Sequence, residues 1–415
     1  MHSKIQKIEV VKLFNEYNHQ IDLSNGVQVI MGANGIGKTT ILKLVNSLFS
    51  GDMLSISNIK FERLEVSFAS KESIQVARSE EKGDVFIKVS LFDEKKEIKE
   101  SYKWSQNELI NEERIEEGLS HSNYPVPLSY VIQRRIRRQF ESKNNEFAAF
   151  LKRIMEYCQT EFIPAQRLQM PTKGNDPVAT VNKISRDLKK YILSVFAKTA
   201  QQSNELDQSF PERLIEKLKK VPQKSPKTHV NQLLSDVVDE LNLLYSAGIL
   251  DESQILKKNM LRSISSTQQS QALVVLDLYL TDYLGKLKLN RTLAQKLKLY
   301  FQTLNEHFVH KKVGLNQERE LYIKSTYTGE EIPINRLSSG EQNELILFYY
   351  LIFECDDKQL ALIDEPEISL HIKWLDKLLP IFREIANNNG MQMLIATHSP
   401  DFVGSNTDIL QILSE

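Results

Sequence analysis

Phosphate chemistry needs closely spaced backbone N–H groups, a cation beside them and oxygen ligands for a metal, and one stretch of this sequence offers all three. Gly32-Ala33-Asn34-Gly35-Ile36-Gly37-Lys38-Thr39 matches G-x-x-x-x-G-K-[ST] and runs on into Thr40. An apolar run, Val27–Met31, precedes it, and Ile41, Leu42, Val45 and Leu48 follow at helical spacing. The context is strand, loop, helix, which a chance glycine-rich turn would not require. Such a loop lets the amides of Asn34, Gly35 and Gly37 close around an anion, and the helix N-terminus at Thr39 and Thr40 adds favourable potential. Lys38 then reaches the β- and γ-phosphates of a nucleotide such as ATP, and Thr39 holds Mg2+.

Leu360-Ala361-Leu362-Ile363-Asp364-Glu365 is an apolar strand that ends in two acids. Alone that pattern carries little, since buried strands often end so. Beside a phosphate loop the two carboxylates take separate tasks. Asp364 is a direct or water-mediated Mg2+ partner, and Glu365 is the base that polarises an attacking water. Leu337-Ser338-Ser339-Gly340-Glu341-Gln342 is a Ser/Gly turn ahead of an apolar helix marked by Leu345, Ile346, Leu347, Tyr349 and Leu351. It reads as an anion site, or as an ordinary serine cap with Glu341 in the first turn. Its position just ahead of the acidic strand favours the anion site. His398 follows the strand Met393-Leu394-Ile395-Ala396 and Thr397, at the end of the same set of elements.

With these segments in this chain order, the sequence resembles the ABC ATPase family, whose signature loop reads LSGGQ. Here Ser339 stands in place of the first glycine, as is common in the SMC-like and anti-phage branches. The resemblance implies that Ser338, Ser339 and Gly340 meet the γ-phosphate held by an opposite subunit, and that His398 senses that phosphate. Pro366-Glu367-Ile368-Ser369-Leu370-His371 resembles the D-loop of SMC-like proteins, which crosses the dimer interface. Glu161-Phe162-Ile163-Pro164-Ala165-Gln166-Arg167 resembles a segment of anti-phage ABC ATPases. It offers Gln166 or Arg167 to Mg2+ or phosphate, with Gln133 as the rival for the glutamine loop. In this class one chain cannot close both loops on one nucleotide. The resemblance therefore implies a homodimer or higher oligomer, with two ATP molecules sandwiched head to tail and Glu365 as the release trigger.

The elements that must position these residues follow from the patterning. Of 415 residues, 41% are hydrophobic and 26% charged, the profile of a globular chain long enough for one large or two medium domains. Ile5, Ile8 and Val10 begin a β pattern, and Asn25-Gly26 is a turn signal, so residues 1–31 are expected as paired strands. Residues 58–104 alternate as an antiparallel β layer, and residues 105–310 turn mostly helical around a strand at Glu161–Pro164. A loop is expected at 221–228 and a long helical stretch at Gln268–Phe308. β character returns at Leu321–Ile334. Then come a helix (Glu341–Phe353), a strand (Leu360–Ile363), a helix (Leu370–Ala386), a strand (Gln392–Ala396) and a last strand near Ile409–Leu413. The expected fold class is α/β: an ABC-type ATPase head, with a mixed, mainly parallel sheet plus an antiparallel β layer, and a large helical insertion. The head's halves are expected at 1–104 and 321–415, with the mainly helical insertion at 105–320.

Bulk properties and absences narrow the role. The net charge of −1 draws no nucleic acid to the whole molecule, so any contact needs a local patch. Arg134, Arg135, Arg137 and Arg138 make such a patch, equally readable as a solvated helix face. The lysines at 217, 219, 220, 224 and 227 read as solubilising. Cys158 and Cys355 are far apart with no histidine at metal spacing, which argues against a disulfide framework or zinc site and fits a cytoplasmic protein. No apolar run of membrane-spanning length occurs, and the N-terminus reads as a strand rather than a signal peptide. A single phosphate loop disfavours a tandem translation-type protein. An insert of about 200 residues without a CxxC hook or heptad array disfavours a long-armed SMC or repair ATPase. With 17 residues after His398, a toprim nuclease domain such as OLD-family proteins carry is not expected. This profile resembles the compact ATPases of the Septu, retron-associated and PARIS anti-phage systems, over roughly residues 1–60 and 320–415. It implies an ATP-controlled regulator or sensor with a separate nuclease or toxin effector, the nuclease of the HNH type. The alternatives are a DNA-repair or chromosome-associated SMC-like ATPase that binds DNA directly, and an ATP-binding scaffold with negligible turnover.

Overall fold

The computed structural model describes residues 4–81, 83–108, 145–170, 178–219, 227–250, 270–355, 359–368, 370 and 372–414. They divide into two compact units, one made of Met1–Thr180 with Ser339–Glu415 and the other of Val181–Ser338. Gln133 and the arginines at 134, 135, 137 and 138 lie outside the described residues, as do Ser369 and His371.

The first unit begins with an antiparallel hairpin of β1 (Ile5–Leu13) and β2 (Tyr17–Asp22). β3 (Val27–Met31) does not continue it. Val27 to Ile30 are all buried, which suits an inner strand covered on both faces, and after the turn at Gly26 (φ 84°) the chain enters a second sheet. α1 (Lys38–Ser50) and the short α2 (Met53–Ser57) follow, the latter capped by the Asp52 carboxylate, which accepts from Ser55 N at 3.1 Å. β4 (Arg63–Phe68), β5 (Ser73–Glu81), β6 (Asp84–Phe92) and β7 (Ile98–Ser105) extend the hairpin into a six-stranded antiparallel layer, ordered β2-β1-β4-β5-β6-β7. Its single buried face shows in β4, where Leu64, Val66 and Phe68 are buried and the residues between them are not. α3 (Asn145–Tyr157) packs on β7, with the Phe147 ring 4.9 Å from Tyr102. β8 (Thr160–Ile163) and the short pair β9 (Gln169–Met170) and β10 (Val178–Ala179) complete this half.

The second unit is mainly helical: α4 (Thr180–Lys219), α5 (Lys227–Ser246), α6 (Ser270–Lys288) and α7 (Arg291–His307). Of the loop expected at 221–228, residues 221–226 lie outside the described ones, and Lys227 already opens α5. Over its described residues, the helical stretch expected at Gln268–Phe308 is two helices broken at Asn290, whose N–H bonds the Leu287 carbonyl. α4 continues through Pro211, and side chains bond carbonyls of the turn before it. Arg213 donates to the Leu206 carbonyl at 2.8 Å, and Ser209 Oγ donates to the Glu205 carbonyl at 3.0 Å. Arg213 also forks onto Asp282 of α6 at 2.6 and 2.7 Å. A hairpin of β11 (Lys311–Leu315) and β12 (Leu321–Ser325) closes the unit. β11 was not expected, since Val313 is its one buried residue, and the β stretch stops at Ser325 rather than Ile334.

Back in the first unit, α8 (Ser339–Tyr349) buries every residue from Asn343 to Tyr349 and passes into a π-helical turn, Tyr350–Glu354. β13 (Leu360–Asp364), α9 (Ile372–Asn389), β14 (Gln392–Thr397), α10 (Pro400–Val403) and β15 (Leu410–Ile412) follow. The second sheet is parallel throughout, ordered β15-β3-β14-β13-β8. β13 and β14 are buried along their whole length, each Leu or Ile there contributing about 1.5–3 kcal/mol. The fold class is thus α/β, with parallel and antiparallel sheets and a large helical segment. Among the described residues no helix is long and apolar enough to cross a membrane.

Candidate nucleotide site

The loop from β3 to α1 closes on itself. Gly37, which has no side chain to cap with, precedes α1 at φ 100°, and the first turn holds no acid. A helix N-terminus leaves its first amides without intrahelical partners, and its aligned peptide dipoles favour an anion such as phosphate. Lys38 is buried, its Nζ donating to the carbonyls of Gly32 at 2.8 Å and Ala33 at 3.1 Å. A Cβ on Gly37 would lie 2.3 Å from Leu13 Cδ2, so the β1 end packs against the loop and any side chain there would displace Leu13. His19, on the buried face of β2, bonds the Ile36 carbonyl through Nε2 at 3.0 Å. Burial holds this imidazole below its usual pKa, the carbonyl bond pulling the other way.

Parallel pairing of β13 with β14 and of β14 with β3 brings the acidic strand end to the foot of this loop. Thr39 Oγ1 donates to both Asp364 oxygens, at 2.9 and 3.1 Å. Burial raises the Asp364 pKa, with the Thr39 bond and Lys43 and Lys38 opposing and Glu365 adding to the rise. A hydroxyl and a carboxylate from two elements form the hard oxygen donor set that a Mg2+ ion with nucleotide phosphates takes, so the residues fit the group. Glu365 sits at φ 44° with its N–H on the Ala396 carbonyl at 2.8 Å, and its Oε1 is 3.3 Å from His398 Nδ1.

The structure thus brings together Lys38, Thr39, Asp364, Glu365 and His398, which are distant in sequence. Asn34, Gly35 (φ 91°) and Thr40 belong to the same loop and first helical turn. Ser339 and Gly340 open α8, and Ser338 is the last residue of the second unit. Gln166 is exposed in the turn after β8, whereas Arg167 is buried. Arg167 turns away from solvent, Nη2 donating to the Pro366 carbonyl at 3.0 Å and Nη1 to that of Pro164 at 3.3 Å. Burial brings its pKa down to about 10, against the pull of Glu367 and Asp364.

Two contributors carried little sequence signal. Glu367 is buried, and its Oε1 accepts from the Thr397 hydroxyl and from His398 N at 3.3 Å while lying 3.6 Å from His398 Nδ1. An acid two residues past Glu365, in a turn, looks like a solvated residue. His19 could have been flagged, being a polar side chain on the inward phase of an alternating strand, two residues before Ile21.

Comparison with curated proteins finds no match. Among solved structures, the SMC head domain from Thermotoga maritima is 11% identical over 99% of this chain and 94% of its own, with a TM-score of 0.36. An Smc head domain with an extended coiled coil, bound to the C-terminal domain of ScpA and derived from Pyrococcus furiosus, is 14% identical over 96% of this chain and 91% of its own, at 0.34. The family model described as "AAA ATPase domain" matches residues 4–403. The chain therefore belongs to the AAA ATPase domain family.

Proposed function

We propose that this protein binds Mg-ATP and hydrolyses it to ADP and phosphate. The observation that carries the reading is the Thr39 hydroxyl seated on both oxygens of Asp364 at the N-terminus of the helix that the glycine-rich loop opens. Lys38 exchanges the Gly32 and Ala33 carbonyls for phosphate oxygens, and the loop amides from Asn34 to Gly37 cradle the anion. Thr39 and Asp364 hold the metal, which when bound neutralises charge developing on the phosphates. Glu365 takes the proton of the attacking water at its carboxylate, and His398 steadies that carboxylate from Nδ1. Ser338, Ser339 and Gly340 act on nucleotide held by a second copy, Gln166 completes the polar lining, and the protein cycles between apart and paired states. On the resemblance to anti-phage ATPases, the cycle restrains or releases a separate nuclease or toxin effector, of HNH type where it is a nuclease.

Steady-state phosphate release tests the chemistry. Glu365→Gln should lower kcat about 10²- to 10⁴-fold with nucleotide affinity retained, as expected for loss of a general base. Wild-type protein that binds Mg-ATP without turnover, and is indifferent to Glu365→Gln, would reduce the site to an ATP-binding scaffold.

A further inference from the structure

The turn Glu365–Ile368 carries the proposed base, and its backbone is not one a glutamate adopts freely. Glu365 has φ 44°, a left-handed conformation that residues with a Cβ rarely adopt. Something outside the turn must hold it there, and two neighbouring strands supply the hold. From β14, the Ala396 carbonyl takes Glu365 N–H at 2.8 Å, and the Thr397 hydroxyl and His398 N–H bind the Glu367 carboxylate. From the chain just past β8, Arg167 reaches the carbonyl of Pro366, 199 residues away in sequence. Because β8 pairs with β13 in register Ile163↔Ile363, the guanidinium spans the ends of two adjacent strands, touching Pro164 after one and Pro366 after the other.

Arg167 is a costly residue to place so. It is 3% exposed, its Nε has no hydrogen-bond partner among the described residues, and both its bonded nitrogens meet neutral carbonyls rather than carboxylates. Burying a cation that way does little for stability. Its gain lies in geometry: a planar, rigid fork fixes the two carbonyls relative to one another in a way a single flexible donor does not.

We propose that Arg167 is a positioning residue for hydrolysis, its buried guanidinium holding the Pro366 carbonyl so that Glu365 keeps the left-handed backbone that sets its carboxylate beside His398. The assignment rests on the ATPase reading above for its consequence in catalysis, though not for its consequence in backbone order. It also gives the Arg167 side chain a role distinct from direct contact with Mg2+ or phosphate.

The test uses full-length Arg167→Met, which matches the stem and lacks donors, and Arg167→Lys, which keeps the charge and one donor site. On nucleotide-free protein, hydrogen exchange read by mass spectrometry should show the Glu367 and Ile368 amides exchanging at least about tenfold faster in Arg167→Met, with α1 and β3 unchanged. With Mg-ATP, kcat should fall about 30- to 100-fold while KM stays within about threefold. Arg167→Lys should recover only part of the loss, with kcat about three- to tenfold below wild type. Adding Arg167→Met to Glu365→Gln should lower kcat no further, because the arginine acts through the glutamate. An additive loss, a kcat unchanged in Arg167→Met, or a rise in KM matching the fall in kcat would each overturn the proposal. If Arg167→Met does not fold, Arg167→Lys decides: wild-type exchange at Ile368 together with wild-type kcat would overturn it. If wild type shows no turnover, the ATPase reading fails by itself, and the exchange measurement still decides whether Arg167 orders the turn.

Discussion

At the residue scale, the phosphate loop separates two glycines that look alike in sequence. Gly35 and Gly37 both have positive φ, at 91° and 100°, but nothing lies within 4 Å of a Cβ on Gly35 while Leu13 lies 2.3 Å from one on Gly37. Gly35→Ala should therefore carry only the backbone cost, about 1–2 kcal/mol. Gly37→Ala should add a further overpacking cost of about 1–3 kcal/mol as Leu13 is displaced. Urea denaturation of the two variants beside wild type checks the order, and equal midpoints would show that the β1 end does not confine the loop. His19 makes a second residue-level prediction. Its pKa is lowered by burial, so the folded chain resists the proton that the unfolded chain takes near the ordinary value of 6.5. Stability from the neutral ring is present above that pH and is lost as pH falls through it. Thermal melts from pH 7.5 to 5.5 should decline in wild type and decline less in His19→Gln. Parallel curves would mean that the ring is not held neutral against the Ile36 carbonyl.

At the element scale, what could be read ahead depended on whether the information was local. Alternation along Arg63–Phe68 and the unbroken apolar runs of β13 and β14 declared an antiparallel face and inner parallel strands, the strand-loop-helix setting singled out Lys38 and Thr39, and the acidic end of an apolar strand singled out Asp364 and Glu365. The break at Asn290 and the strand Lys311–Leu315 were hidden, because each turns on a single side chain or turn rather than on a period. Also hidden were partnerships across the sheet, since nothing local in P-A-Q-R points to a carbonyl at position 366. Gln392 shows the same limit. It opens β14 among apolar residues and looks misplaced, yet its amide joins the two sheets. Its Oε1 accepts from Ile5 N at 2.8 Å, and its Nε2 donates to Ile5 O at 2.7 Å and Leu23 O at 2.9 Å. Gln392→Leu should leave the buried Ile5 backbone unpaired and cost about 1–3 kcal/mol, more than the gain from an added apolar side chain there. A variant as stable as wild type in urea would show that the two sheets are held by apolar packing alone.

At the scale of the whole molecule, charge gives the chain no general reason to associate: 53 Lys and Arg face 54 Asp and Glu, a net of −1. Pairing, if it occurs, has to come from a specific contact that nucleotide creates. The proposed cycle supplies one, since Lys38 and the amides at the α1 N-terminus gather phosphate on one copy while Ser339 and Gly340 begin a helix that can meet it from another. Hydrolysis dissolves that contact, so the paired state should accumulate only when binding is kept and chemistry removed. Light scattering on wild type and Glu365→Gln, each with and without Mg-ATP, makes this measurable. The expected result is 47.9 kDa for both chains without nucleotide, and about twice that for Glu365→Gln with Mg-ATP. Wild type should show the larger mass only transiently. A fixed oligomer indifferent to ATP in both chains would instead make this protein a preassembled scaffold, and the role of nucleotide would then be to change that assembly's shape rather than to build it.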